Sequence, residues 1–126
     1  HVCEISDSSE GTKSRVPHEE MKRVLKYVEL HYMEKLTIED MANVSGFSSS
    51  HFMKYFKNNM GQSFIDYLND YRLTMASRML LASTDAVLMV AQEAGFDNMS
   101  YFNRIFKRKF GLTPREYRKH SESRVL

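Results

Sequence analysis

A chain of 126 residues suffices for one compact domain with a modest core, or for two very small subdomains. Its 42% apolar content, with 7 tyrosines and 8 phenylalanines, excludes a disordered chain, and its longest apolar run, Ala86 to Ala91, is too short to cross a bilayer, so no membrane partner is expected. The net charge of +2 conceals an asymmetry: residues 98–120 carry seven Lys or Arg against one Glu, or +6, and the rest sums to −4, which suits a polyanion at one surface.

Residues 1–16 mix Ser, Asp, Glu, Gly, Thr and Lys without apolar period and read as a flexible tail or interdomain linker. Cys3, the only cysteine, lies there without a partner for a disulfide or thiolate metal site, which fits a reducing cytoplasm. The chain opens at His1 rather than methionine and is read as a piece of something longer. Pro17 suits a first helical position, Glu19 and Glu20 complement the helix dipole, and Met21, Val24, Leu25, Val28 and Tyr32 form one stripe of a helix running to about Met33. Thr37 with Asp40 resembles a capping box, opening a short helix with Ile38, Met41, Ala42 and Val44 that ends at Gly46-Phe47. Ser48 caps the next helix, with Phe52, Tyr55 and Phe56 inward, Ser49, Ser50, Met53, Lys54 and Lys57 outward, and a stop near Gly61.

Ser63 caps a long connecting helix, 63–83, with Phe64, Tyr67, Leu68, Tyr71, Met75, Met79 and Leu80 along one side. Beyond it, Val87, Val90, Ala91 and Ala94 share one face of a short helix that Gly95 stops from a left-handed position. Asp97 or Asn98 caps the following helix. Its inward stripe is Phe102, Ile105, Phe106 and Phe110, and Met99, Ser100, Asn103, Arg104 and Lys107 are left outside. A last short helix is expected at 114–120, with 121–126 as a tail. Two short helices joined by a tight turn, the second presenting amides and cations outward, are what a recognition helix needs to enter the major groove of DNA.

The pattern occurs twice. Ala42-x3-Gly46-Phe47, Phe52-x3-Phe56-Lys57, Gly61-x-Ser63 and Tyr67 recur as Ala91-x3-Gly95-Phe96, Phe102-x3-Phe106-Lys107, Gly111-x-Thr113 and Tyr117, offset by 49 and then 50 residues. Nine matched positions broken by one insertion in the turn imply a duplicated supersecondary unit, 37–61 and 86–110.

These residues resemble the DNA-binding domain of the AraC/XylS family of bacterial transcription regulators over about Pro17 to Lys119, most specifically at Ala91-x3-Gly95-Phe96-x5-Phe102-x3-Phe106-Lys107-x3-Phe110-Gly111-x-Thr113-Pro114-x2-Tyr117-Arg118. The resemblance implies an all-α fold of about seven helices over residues 17–120, with two helix-turn-helix subdomains joined by the long helix. It also implies recognition helices that read adjacent major-groove segments of double-stranded promoter DNA, RNA polymerase as a partner, and a sensor or oligomerisation domain upstream of His1. Carried over by position, the base-facing residues are Ser49, Ser50, Met53 and Lys54 in the first recognition helix and Met99, Ser100, Asn103 and Arg104 in the second. The first set departs from well-known members, where larger aromatic, Gln or Arg side chains often stand, so its readout is expected either to be weaker or to rest on Met53 against a thymine methyl. Arg104 suits guanine and Asn103 adenine, whereas Lys57, Lys107, Arg108 and His51, with the helix caps Thr37, Ser48 and Asn98, suit phosphates. Lys54, though carried over as base-facing, is likewise better placed for a phosphate.

Other residues read as structure. The i, i+4 pairs Phe52/Phe56 and Phe102/Phe106 lie opposite the cations and belong to the core rather than to a base-stacking platform. His31 and His51 have no His, Cys or carboxylate at ligand spacing, and Glu39-Asp40 and Asp66/Asp70 have no accompanying nucleophile or phosphate loop, so neither metal, cofactor nor catalytic site is expected. The rival to DNA binding is a helical interaction module that takes an acidic protein on the same basic face.

Overall fold

The computed structural model describes residues 12–125. Seven α-helices occupy them, and no strand occurs among the described residues: α1 Thr12–His31, α2 Ile38–Ser45, α3 Ser49–Met60, α4 Phe64–Ala82, α5 Val87–Glu93, α6 Met99–Phe110 and α7 Pro114–Val125. The chain divides into two units. The first holds the residues up to His31 and Leu36–Phe64, and the second holds Tyr32–Lys35 and everything from Ile65 onward.

In the first unit, Met21, Val24 and Val28 of α1 are buried, as are Met41 and Ala42 of α2, Phe52 and Phe56 of α3, and Phe64. Phe64 meets Phe52 and Phe56 edge-on, with ring centroids 5.5 and 5.4 Å apart, so three phenylalanines close the unit's core. Full burial of each such ring contributes roughly 1.5–3 kcal/mol. Leu25, expected on the α1 stripe, is only half-buried.

In the second unit one core gathers Leu73, Ala76 and Leu80 of α4, Val90, Ala91 and Ala94 from α5, Phe96 from the turn, and Phe102, Ile105 and Phe106 of α6. Phe106 meets Tyr117 of α7 edge-on at 5.4 Å, tying α7 to the same core. Pro114 opens α7, as its missing N–H allows.

Three further sequence expectations differ from the structure. Helix α1 begins at Thr12 rather than Pro17, so the tail reading is replaced by helix over 12–16; residues 1–11, with Cys3, lie outside the described residues. Helix α7 continues to Val125 where a tail was expected from residue 121, because no Gly or Pro stops it. Along α4 the single stripe was too narrow: Phe64, Leu68 and Leu80 are buried as expected and Tyr67, Tyr71, Met75 and Met79 half-buried, but Leu73, Ala76 and Ser77 are buried as well.

Candidate nucleic-acid interface

The turn that joins the helices of each repeat follows from three residues. In the first unit Gly46 has φ 84°, its N–H donates to Asn43 O at 3.3 Å, and the N–H of Phe47 donates to Ala42 O at 3.0 Å. In the second, Gly95 has φ 104°, its N–H donates to Gln92 O at 3.0 Å, and the N–H of Phe96 donates to Ala91 O at 2.9 Å. The repeated Ala-x3-Gly-Phe spacing is thus a left-handed helix cap: Gly takes the positive φ, and the small alanine receives the bond from the aromatic that turns inward.

N-caps then start the outward helices. The N–H of His51 donates to Ser48 Oγ at 3.2 Å, and that of Tyr101 to Asn98 Oδ1 at 2.8 Å, so of the two residues expected to cap α6 it is Asn98 that does so. Thr37 and Asp40 form the expected box on α2, each side chain taking the other's backbone N–H at 3.0 Å. At α3 and α6 the caps hold the third N–H, leaving the first two donors of each helix outside the helical ladder beside the positive end of its dipole. Both helices stop alike, at Gly61 and Gly111, each with φ 80°.

The side chains expected to meet DNA mostly stand in solvent. Ser50, Met53 and Lys54 are exposed on α3, with Lys57 beyond them; Ser100, Asn103, Arg104, Lys107 and Arg108 are exposed on α6. Thr37, Ser48, His51 and Asn98 are exposed too. Two expected base-facing residues are not fully out. Ser49 is half-buried, and Met99 is half-buried against the second core, because the first turn of α6 leans on that core. Met99, expected fully outward, thus packs in part against the second core. His51 stacks on Phe47, centroids 4.2 Å and planes 2° apart, so its ring lies flat on the turn.

On α6 the division is sharp. Phe102, Ile105 and Phe106 are buried, and the helix carries five Lys/Arg/Asn side chains outward with no Asp or Glu of its own. Lys109 is diverted, its Nζ lying 3.4 Å from Asp70 Oδ1. Arg104 lies over Tyr101, its Cζ 5.1 Å from the ring centroid.

Two features had no local signal. Arg72 donates from Nε to Tyr32 O and from Nη2 to Glu34 O, both at 2.7 Å, gathering carbonyls past the end of α1. Burial pushes its pKa down and nearby Asp97 opposes the shift. Arg23 reaches Val44 O and Ser45 O, both at 3.3 Å, and steadies the end of α2. Both are long-range bonds from a helical arginine to backbone carbonyls at or beyond the end of another helix, which no spacing announces. No group of His, Cys, Asp and Glu able to hold a metal occurs among the described residues, and no described helix is long and apolar enough to cross a membrane.

Two helix-turn-helix units, each with an exposed polar second helix, define the class. A helix-turn-helix domain family matches residues 21–120. The chain is 34% identical over 113 residues to the HTH-type transcriptional regulator YdeC of Bacillus subtilis, covering 90% of this chain and 38% of that protein. It superposes on the DNA-binding domain of AdpA, a global transcriptional factor solved in complex with a target DNA, with TM-score 0.79 and 26% identity, over 82% of this chain and 94% of that one. A probable AraC family transcriptional regulator from Rhodopseudomonas palustris gives TM-score 0.74 at 29% identity, over 81% and 96%. The chain belongs to the AraC-type helix-turn-helix family. It spans 38% of the length of the curated relative it matches.

Proposed function

We propose that this chain is the part of a bacterial, cytoplasmic transcription regulator that binds promoter DNA sequence-specifically, α3 and α6 each reading a segment of the major groove. The observation that carries the reading is α6: a helix held by three buried apolar residues, capped by Asn98, and presenting Ser100, Asn103, Arg104, Lys107 and Arg108 with no acid among them. Arg104 supplies a planar fork for guanine, Asn103 a donor and acceptor for adenine, and Lys107 and Arg108 charges for phosphates. On α3, Met53 is 49% exposed and offers apolar contact to a thymine methyl, with Lys54 and Lys57 beside it. The complex of AdpA with its target DNA supports the assignment of the ligand.

The remaining partners follow from that role. RNA polymerase is the machine a promoter-bound regulator acts on, and the sensor or oligomerisation domain is assigned to residues outside this chain, in keeping with the greater length of its relatives. The activity proposed is binding, in keeping with the helix-turn-helix family the chain belongs to. Selection from a random duplex library tests the reading: recovered fragments should share a motif, and the preference for it should persist after the salt-dependent nonspecific part is subtracted. A pool that stays random, with retention on an acidic protein instead, would replace DNA by a protein partner.

A further inference from the structure

We propose that Tyr101 is a positioning residue for Arg104: its ring holds the guanidinium flat so that the edge of the fork, not the face, meets the base. This inference rests on the DNA reading above. Arg104 lies one helical turn after Tyr101 with its Cζ 5.1 Å from the ring centroid. The ring is not a loose surface. Tyr101 is half-buried against the core that includes Phe102 and Phe106, and its phenol oxygen accepts a 2.9 Å hydrogen bond from Nδ2 of Asn69 on α4, so it is held at both body and tip.

Chemistry makes the two contacts of Arg104 compatible. A stacked guanidinium uses its face against the aromatic quadrupole, leaving all its N–H donors in the plane for a bidentate bond to guanine. A carboxylate partner would have consumed that same edge, and α6 has none. Stacking also removes in advance part of the side-chain freedom that an arginine loses on binding.

The other repeat shows what the device adds. At the positions matching Tyr101 and Arg104, an offset of 50, stand His51 and Lys54. His51 lies on Phe47 instead, and a lysine has no planar fork to orient. The geometry thus assigns the sharper base discrimination to α6.

The test is a double-mutant cycle on the duplex recovered by selection and its three substitutions at each base pair, using the parent chain, Tyr101→Leu, Tyr101→Phe, Arg104→Ala and Tyr101→Leu with Arg104→Ala. Tyr101→Leu should lower discrimination about two- to fivefold, the size of an exposed cation–π contact, at the single base pair that Arg104→Ala identifies, and nowhere else. Tyr101→Phe, which keeps the ring, should retain most of it, and Tyr101→Leu should add nothing once Arg104 is gone. A uniform loss on all duplexes, a loss that survives in the Arg104→Ala background, or no loss in Tyr101→Leu overturns the proposal while leaving DNA binding standing. A parent chain that prefers no sequence overturns both. Since Tyr101→Leu disturbs a packed residue, proton NMR of the parent supplies an independent reading: the Arg104 δ-methylene protons should be shifted upfield by the ring, and ordinary shifts there also overturn the proposal.

Discussion

A Cβ added at Gly95 would lie 2.7 Å from Nε of Arg72 and 2.8 Å from the carbonyl oxygen of Tyr32, whereas one at Gly46 would meet nothing within 4 Å. Both glycines hold a positive φ, so alanine at either costs roughly 1 kcal/mol in backbone conformation. Only Gly95→Ala also forces apart a hydrogen-bonded pair, a further ~1–3 kcal/mol of the kind that overpacking costs. Chemical denaturation of the two variants should therefore rank Gly95→Ala well below Gly46→Ala; equal midpoints would mean that the close approach relaxes freely. Asn98 separates the two uses of a cap. Aspartate accepts the Tyr101 N–H as well as asparagine does and suits the helix dipole, but sets a negative charge where phosphate is proposed to sit. Asn98→Asp should keep the thermal midpoint and weaken every duplex severalfold, most at low salt, and unchanged binding would remove Asn98 from the phosphate set. Arg104 and Lys107 differ in the same manner: Arg104→Ala should cost ~1–3 kcal/mol at one base pair, and Lys107→Ala should weaken all sequences alike and lower the salt slope by about 1.

At the scale of the element, α3 links stability to alkali. Burial, with the charge of Glu20 adding to it, pushes the Tyr55 phenol up to about 12. Its folded pKa exceeds the ordinary phenol value, so the neutral form is the one the fold favours; that contribution is complete below about pH 10 and is lost as pH rises through the folded value. Thermal midpoints should fall between these limits in the parent and fall less in Tyr55→Phe, and parallel curves would show that Tyr55 is not the group responsible. The elements were legible in the sequence wherever the signal is local: Ser48, Asn98 and the Thr37–Asp40 box announce starts, and the glycines with their spaced alanines announce stops. What was not legible depends on partners far along the chain. Leu73, Ala76 and Ser77 were missed because a helix buried on more than one side shows no clean period, and Met99 was read outward because its place on the helical wheel does not report the core beneath the first turn of α6.

For the whole molecule, charge placement sets the binding law. With the +6 segment supplying α6 and α7, log affinity should fall linearly with log salt by about 0.9 per phosphate neutralised, and a flat salt response would argue against a polyanion as the ligand. If both repeats read DNA, replacing Met53 and Lys54 together by alanine should erase protection over one part of the site and leave the part read by α6, which nuclease footprinting would show; complete loss of the footprint would mean that α3 is indispensable for any binding. The hydrogen bonds of Arg72 carry a different consequence, one for how the chain can be cut and in what order it matures. They join residues 40 and 38 positions apart, and the carbonyls they use belong to a short stretch, Tyr32–Lys35, that precedes the whole of Leu36–Phe64 yet belongs to the second unit. The second helix-turn-helix is therefore not a contiguous cassette: a fragment starting at Ile65 keeps every residue of α5 and α6 but leaves the guanidinium without its two acceptors. On a ribosome, those carbonyls wait through the synthesis of the first unit's remaining helices before Arg72 emerges to meet them.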